Sequence, residues 1–143
     1  MSYQLSFTHL LTYDTGAPGI GLEVRLRLKD VSITIPANLD TGAGGSIFAR
    51  RYGEQLGFDI ESGLRQPFGT ATGSFIAYGH EVTLYIDGIE FNAIVYFAAD
   101  EHFDRNVIGR FGGLDHLQIG LVDYGASFTS AVTKNNVLPS RSS

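Results

Sequence analysis

The chain has 143 residues, the size of one ordinary domain, and its 43% hydrophobic content is enough for one core. Its net charge of -5 argues against binding nucleic acid or a membrane surface, because both usually need a basic face. The absence of cysteine excludes disulfides and thiolate metal sites, and we find neither a signal peptide nor a membrane-spanning run. We therefore expect a soluble, cytoplasmic protein with a single domain over residues 1–133 and a flexible tail over 134–143.

Alternating hydrophobicity predicts strands along most of the chain. We predict a hairpin of Gly21–Lys29 and Val31–Ile35, because apolar residues occupy every second position. Helical spacing predicts a helix over Phe48–Leu56, ended by Gly57. Later in the chain we predict a hairpin over Pro67–Tyr78, a hairpin of His80–Ile86 and Ile89–Ala98, a strand at Asn106–Ile108, helical turns within Arg110–Leu117 and a strand at Gln118–Asp123. Seven or eight strands and one or two short helices predict an all-β barrel or sandwich.

The triplet Asp-Thr-Gly occurs twice, beginning at Asp14 and at Asp40. Asp40 follows the strand-like segment VSITIPANL and precedes a loop of small residues, Ala43-Gly44-Gly45-Ser46. Asp14 follows only thirteen residues, and the next residues include Pro18-Gly19, which is typical of an exposed turn. We therefore take Asp40 as the functional copy.

The first copy has a structural interpretation. We predict that Asp14–Gly19 is the connection of a hairpin between strands at Tyr3–Leu11 and Gly21–Lys29. The two copies are also too close together in the chain for each to build its own lobe.

A pair of aspartates can catalyse the hydrolysis of a peptide bond when their two carboxylates lie close enough to share one proton. The ionised carboxylate takes a proton from a bound water as the water attacks the scissile carbonyl, and the protonated one assists the developing oxyanion. Repulsion between the like charges separates the two apparent pKa values of such a pair. For this chemistry, the carboxylate of Asp40 therefore needs a second carboxylate beside it.

Three segments carry a resemblance to retropepsin-like aspartic proteases. Leu39-Asp40-Thr41-Gly42-Ala43 resembles the active-site loop of that family, with Asp40 catalytic and Thr41, Gly42 and Ala43 supporting the loop. The second landmark of the family, an apolar pair followed by Gly-Arg, is matched by Val107-Ile108-Gly109-Arg110. Between them, Phe68–Tyr78 matches the flap hairpin, and its tip Ala71-Thr72-Gly73-Ser74 would cap the substrate. The resemblance runs from about Gly21 to Asp123, most of the chain.

The resemblance implies an all-β, retropepsin-like acid protease barrel with one or two short helices and one lobe per chain. Members work as homodimers, so the second aspartate would be Asp40 of another copy. The implied activity is that of an aspartic endopeptidase on a polypeptide substrate, without metal or cofactor. We expect it to cut between apolar residues, with Ile76 and Ile108 near the cleft. The alternatives are a silent dimerisation or peptide-binding module, and a small β-barrel binding protein with an accidental triplet.

The chain departs from the viral pattern of the family at two positions. Gly44 stands where viral members often have an acidic residue, and Phe111 replaces their Asp or Asn. The contact made by Arg110 must therefore differ, and Asp115 is the candidate partner. These departures favour a cellular, bacterial branch.

Overall fold

The computed structural model describes residue 2 and residues 4–132, and the predicted tail over 134–143 lies outside them. The described part is mostly strand, which confirms the predicted all-β class. Its elements are β1 (His9–Thr12), β2 (Ile20–Leu28), β3 (Val31–Leu39), β4 (Ile47–Phe48), α1 (Arg50–Leu56), β5 (Leu64–Thr70), β6 (Gly73–Ile86), β7 (Ile89–Ala98), β8 (Val107–Ile108), β9 (Leu117–Val122) and β10 (Ser127–Val132). Short 3-10 turns lie at Ile60–Ser62, Leu114–His116 and Asp123–Gly125.

The barrel closes because β6 pairs with a different strand along each half of one edge. Seven strands follow the order β2-β3-β8-β4-β7-β6-β5, and β2 also pairs with β6. On that edge, the start of β6 pairs with β5 and its end pairs with β2, from Val24 opposite Ile86 to Arg27 opposite Thr83. The β2–β6 pairing turns the six strands from β2 to β6 into a ring. The hairpin of β5 and the start of β6, residues 64–79, extends from this ring, and we call it the flap hairpin.

The alternation read from the sequence places the core inside this ring. On β2, Leu22, Val24 and Leu26 are buried, while the charged residues between them are exposed. The side chains that are fully buried include Phe48, Phe97, Phe128, Leu26, Ile35, Ile60, Leu84, Ile86 and Ile108. Burial of this apolar surface is the main force that holds the barrel together.

A second sheet shows that the predicted hairpin around Asp14 is wrong. β1 pairs with β10, from His9 opposite Ser130 to Thr12 opposite Ser127, and β10 pairs with β9. β2 instead pairs with β3 and β6. The turn after Asp14 therefore connects two different sheets. The hairpin was inferred from the Pro18-Gly19 turn signal between adjacent segments, and β10, the actual partner of β1, was not predicted.

The predicted helix begins two residues later than expected. Ile47–Phe48 forms β4, which pairs with β7 and β8, and α1 begins at Arg50. The backbone N–H of Ala49, at the start of the helix, donates to Asn106 Oδ1 at 3.0 Å. Gly57 ends the helix with a positive φ of 100°, as the sequence predicted. Pairing of Phe48 with Phe97 on β7 therefore outweighs the helical spacing at this position.

Within the described residues, no helix is both long enough and apolar enough to cross a membrane.

Candidate active site

Asp40 is placed by the strand that precedes it. β3 lies parallel to β8, with Leu39 opposite Ile108, and the N–H of Asp40 continues the ladder by donating to the Ile108 carbonyl at 2.9 Å. The N–H of Gly42 donates to Asp40 Oδ1 at 2.9 Å, and the N–H of Ala43 donates to the Asp40 carbonyl at 3.2 Å. The half-buried carboxylate therefore sits in a tight turn at the end of a barrel strand.

Backbone hydrogen bonds join the two predicted motifs directly. The N–H of Arg110 donates to the Ala43 carbonyl at 2.9 Å, and the N–H of Phe111 donates to the Gly44 carbonyl at 3.1 Å. The loops are so close at Gly109 that an added Cβ would lie 2.7 Å from the Ala43 oxygen. Glycine is therefore required at position 109 for this approach.

Ser46 makes a further link between the same loops. Its side chain is fully buried, donates to the Gly112 carbonyl at 3.1 Å and accepts from the N–H of Gly109 at 3.2 Å. The sequence placed Ser46 in the loop of small residues after Asp40 but did not indicate this role. A hydroxyl residue at the junction between a glycine-rich loop and the apolar pair Ile47-Phe48 is a signal that could have indicated it.

An open cleft of about 640 Å³ lies beside Asp40, within the size range of ligand sites. Its walls are mostly apolar, and Asp40 is the only acidic residue and Arg105 the only basic one among its described lining residues. The lining consists of Asp40, Gly42, Ala43, Gly44, Gly45, Ile47, Gln66, Pro67, Phe68, Gly69, Thr70, Ala71, Phe75, Tyr96, Phe103, Arg105, Val107 and Phe111.

The flap hairpin forms one wall of the cleft through aromatic side chains. Phe75 lies 5.6 Å from Phe68 and 4.6 Å from Phe103, measured between ring centroids. Phe68 meets Tyr96 edge-on at 5.1 Å, so the flap hairpin is packed against both β7 and the segment after it. Tyr96, Phe103 and Arg105 were not predicted from the sequence as residues of the site.

The predicted flap tip is divided between the cleft and solvent. Ala71 lines the cleft, whereas Thr72, Gly73 and Ser74 are exposed and lie outside its lining. Gly73 has a φ of 152°, and its carbonyl accepts a hydrogen bond from Thr70 Oγ1 at 3.1 Å. The residue therefore shapes the turn, for which glycine is the least strained choice.

The structure refines one expectation about the residues around the cleft and corrects another. Ile76 and Ile108 follow the lining residues Phe75 and Val107 in the chain but do not line the cleft themselves, and Ile108 is fully buried in the core. Arg110 has no ion pair with Asp115 among the described residues; Asp115 Oδ1 instead accepts from the N–H of Gly113 at 3.2 Å. Arg110 and Asp115 do share the lining of a small surface hollow with Thr41, Phe111 and Leu114, and the N–H of Asp115 donates to the Arg110 carbonyl at 2.9 Å.

The two Asp-Thr-Gly copies have the same local geometry. The N–H of Gly16 donates to Asp14 Oδ1 at 2.8 Å, just as the N–H of Gly42 donates to Asp40 Oδ1. Asp14, however, is exposed and does not line the cleft. The triplet therefore determines a turn, and the surrounding fold determines whether that turn faces a cavity.

No protein-family model and no curated protein sequence matches this chain. Solved structures do resemble it. A retropepsin-like aspartic protease from Rickettsia conorii aligns over 90% of this chain and 100% of its own, at 17% identity and a TM-score of 0.61. The retroviral protease-like domain of Ddi1 from Leishmania major aligns over 82% of this chain and 98% of its own, at 20% identity and a TM-score of 0.52.

These similarities, together with the closed all-β barrel, show that the chain has the retropepsin-like aspartic protease fold. The resemblance first seen in three short motifs is thus confirmed at the level of the fold.

Proposed function

We propose that this protein is an aspartic endopeptidase in which Asp40 from each of two chains forms the catalytic pair. The observation that carries the proposal is the position of Asp40 as the only acidic residue among the described lining of an apolar cleft. The resemblance of the fold to a protein described as a retropepsin-like aspartic protease supports the same chemistry.

The number of carboxylates in the cleft supports a homodimer. Two are needed to share a proton and activate water, and the lining of one chain supplies one. A two-fold axis beside the Asp40 loop would bring the second carboxylate from an identical loop. Thr41, Gly42 and Gly44 are exposed on this loop, so its backbone is accessible to a partner chain. The chemistry then uses water and two carboxylates, without metal or cofactor.

The shape of the cleft favours an extended polypeptide as substrate. The flap hairpin offers strand backbone, which can bind a peptide by main-chain hydrogen bonds. Phe68, Phe75, Tyr96 and Phe103 provide aromatic surface for apolar side chains on either side of the cut bond. Ala71 lies where the turn of the hairpin reaches the cleft.

Cleavage of casein between about pH 4 and 7 tests the proposal, with Asp40→Asn and Asp14→Asn compared with wild type. The two variants are matched, because each removes the carboxylate from one of two Asp-Thr-Gly copies that form the same kind of turn. We expect Asp40→Asn to lose at least about 100-fold in rate, since it removes the group that accepts the proton from water. Asp14→Asn should retain full activity, and pepstatin-type inhibitors should block both active proteins.

Sedimentation of the same samples measures the oligomeric state. A dimer that cleaves through Asp40 supports the proposal. Loss of activity in Asp14→Asn instead would show that the choice between the copies is wrong. A dimer that binds peptides without Asp40-dependent cleavage would favour the silent module, and a monomer would contradict the shared dyad.

A further inference from the structure

We propose that Arg105 makes the cleft select polypeptides that carry an acidic side chain close to the bond that is cut. The inference rests on the proposed function, because it assigns a substrate class to the same cleft. Arg105 is the only basic residue among the described lining residues of that cleft, and its side chain is exposed to the space a substrate would fill.

The backbone beside Arg105 is held in place. The next residue, Asn106, accepts a hydrogen bond on its side-chain Oδ1 from the N–H of Ala49 at 3.0 Å. Its carbonyl accepts from the N–H of Asn38 at 2.9 Å, which fixes the segment to β3 just before the Asp40 loop. Arg105 therefore extends from an anchored backbone, which removes the loop-ordering part of the entropy lost when a ligand binds.

Two of the carboxylates close to Arg105 in the chain, Asp104 and Asp100, have other partners. Asp104 Oδ1 pairs with the guanidinium of Arg51 at 2.8 Å, and Asp100 Oδ1 lies 3.1 Å from His102 Nδ1. Among the described residues, Arg105 itself takes part in no ion pair within 4.0 Å. Its charge is therefore available to a carboxylate brought by the substrate.

Without Arg105, this cleft would disfavour acidic peptides. The protein carries a net charge of -5, and the single negative charge that the proposed Asp40 pair carries while it shares a proton would add repulsion at the reacting bond. The guanidinium reverses this local repulsion, and it presents paired N–H donors that fit a carboxylate. The aromatic walls lower the local dielectric once a substrate covers the cleft, which strengthens the attraction.

The selectivity can be measured by cleavage of a synthetic peptide library of defined composition. Wild type is compared with Arg105→Gln, Arg105→Glu and the control Arg27→Gln, an exposed arginine on β2 outside the cleft. We expect acidic residues to be enriched within about three positions of the cut in wild type and Arg27→Gln. In Arg105→Gln the enrichment should fall about fivefold, and in Arg105→Glu basic residues should replace acidic ones.

A binding measurement separates this inference from the proposed function. The same library is bound to the Asp40→Asn protein, with and without the additional Arg105→Gln change. Acidic peptides retained only when Arg105 is present support the inference, even where wild type shows no Asp40-dependent cleavage. Equal selectivity of wild type and Arg105→Gln would overturn it, as would failure of the Asp40→Asn protein to retain acidic peptides when cleavage is also absent.

Discussion

The side chain of Ser46 links the Asp40 loop to the Gly109–Gly112 loop, in addition to the backbone hydrogen bonds between them. Its buried hydroxyl donates to one backbone carbonyl and accepts from one backbone N–H, so its removal would leave both backbone groups without this partner. An unsatisfied buried polar group costs about 1–3 kcal/mol, more than the typical net gain from forming a hydrogen bond. The contribution of Ser46 to stability therefore comes mainly from the hydrogen bonds it supplies to the Gly112 carbonyl and the Gly109 N–H.

We expect Ser46→Ala to lower the free energy of unfolding by about 1–3 kcal/mol, measured by urea denaturation. The control is Ser62→Ala, which also loses a side-chain hydrogen bond to a backbone carbonyl, here that of Asp59, but at an exposed position. The control should change stability by no more than about 0.5 kcal/mol. Equal effects of the two substitutions would show that Ser46 does not stabilise the loops through these bonds.

At the scale of the element, α1 contains a glycine, Gly53, that packing against the core makes more favourable than alanine, although glycine normally destabilises a helix. Alanine in place of a helical glycine normally stabilises by about 0.5–1 kcal/mol. A Cβ at Gly53, however, would lie 2.6 Å from Ile60 Cδ1 and 2.8 Å from Phe97 Cγ. Ile60 and Phe97 are both buried, and Phe97 also packs against Phe48 and Phe58. Neither neighbour can move without disturbing the core.

We therefore expect Gly53→Ala to destabilise the protein by about 1–2 kcal/mol net, because overpacking costs about 1–3 kcal/mol and outweighs the gain in helix propensity. Gln55→Ala, at an exposed position of the same helix, is the control and should be neutral or slightly stabilising. Thermal unfolding of both variants gives the comparison. A higher Tm for Gly53→Ala would mean that the helix shifts away from the barrel without cost.

For the whole molecule, the pairing of Arg50 with Glu61 links stability to pH. The Arg50 guanidinium donates to Glu61 Oε1 at 2.7 Å and also to the Ala99 carbonyl at 3.0 Å, which joins α1, a 3-10 turn and the end of β7. The hydrogen bonds from Arg50 lower the pKa of Glu61 below its ordinary value of 4.5. Because the folded pKa is the lower one, this stabilisation is present above pH 4.5 and is lost as pH falls through the folded pKa.

We expect the Tm of wild type to fall as the pH is lowered from about 5 to 3, and Glu61→Gln to flatten part of that fall. Glu81→Gln is the control, since Glu81 is exposed on β6 and has no ion pair among the described residues. Wild type and Glu81→Gln should follow the same curve. A slope unchanged in Glu61→Gln would show that other carboxylates account for the acid sensitivity. The lowest pH of the casein assay, about 4, thus approaches the pH range in which the Arg50–Glu61 pair weakens.

Features that depend on neighbouring residues could be predicted from the sequence. The alternation in β2 and β3, the β6–β7 hairpin at Asp87-Gly88 and the stop at Gly57 follow from side-chain periodicity and local backbone preference. Both residues of the Asp87-Gly88 turn have positive φ, as that sequence favours. The sequence also distinguished Asp40 from Asp14 as the candidate functional residue, because a strand and a loop of small residues flank Asp40.

Features that depend on distant residues were decided by the tertiary structure. The pairing of β1 with β10, the short strand β4 and the β2–β6 closure join segments far apart in sequence, and no local pattern encodes which partner is available. The cleft wall formed by Tyr96, Phe103 and Arg105 has the same origin. The clearest case is the repeated triplet. The sequence by itself determined the turn at Asp14 and at Asp40, and only the packing of β3 against β8 placed one of those carboxylates in a cleft.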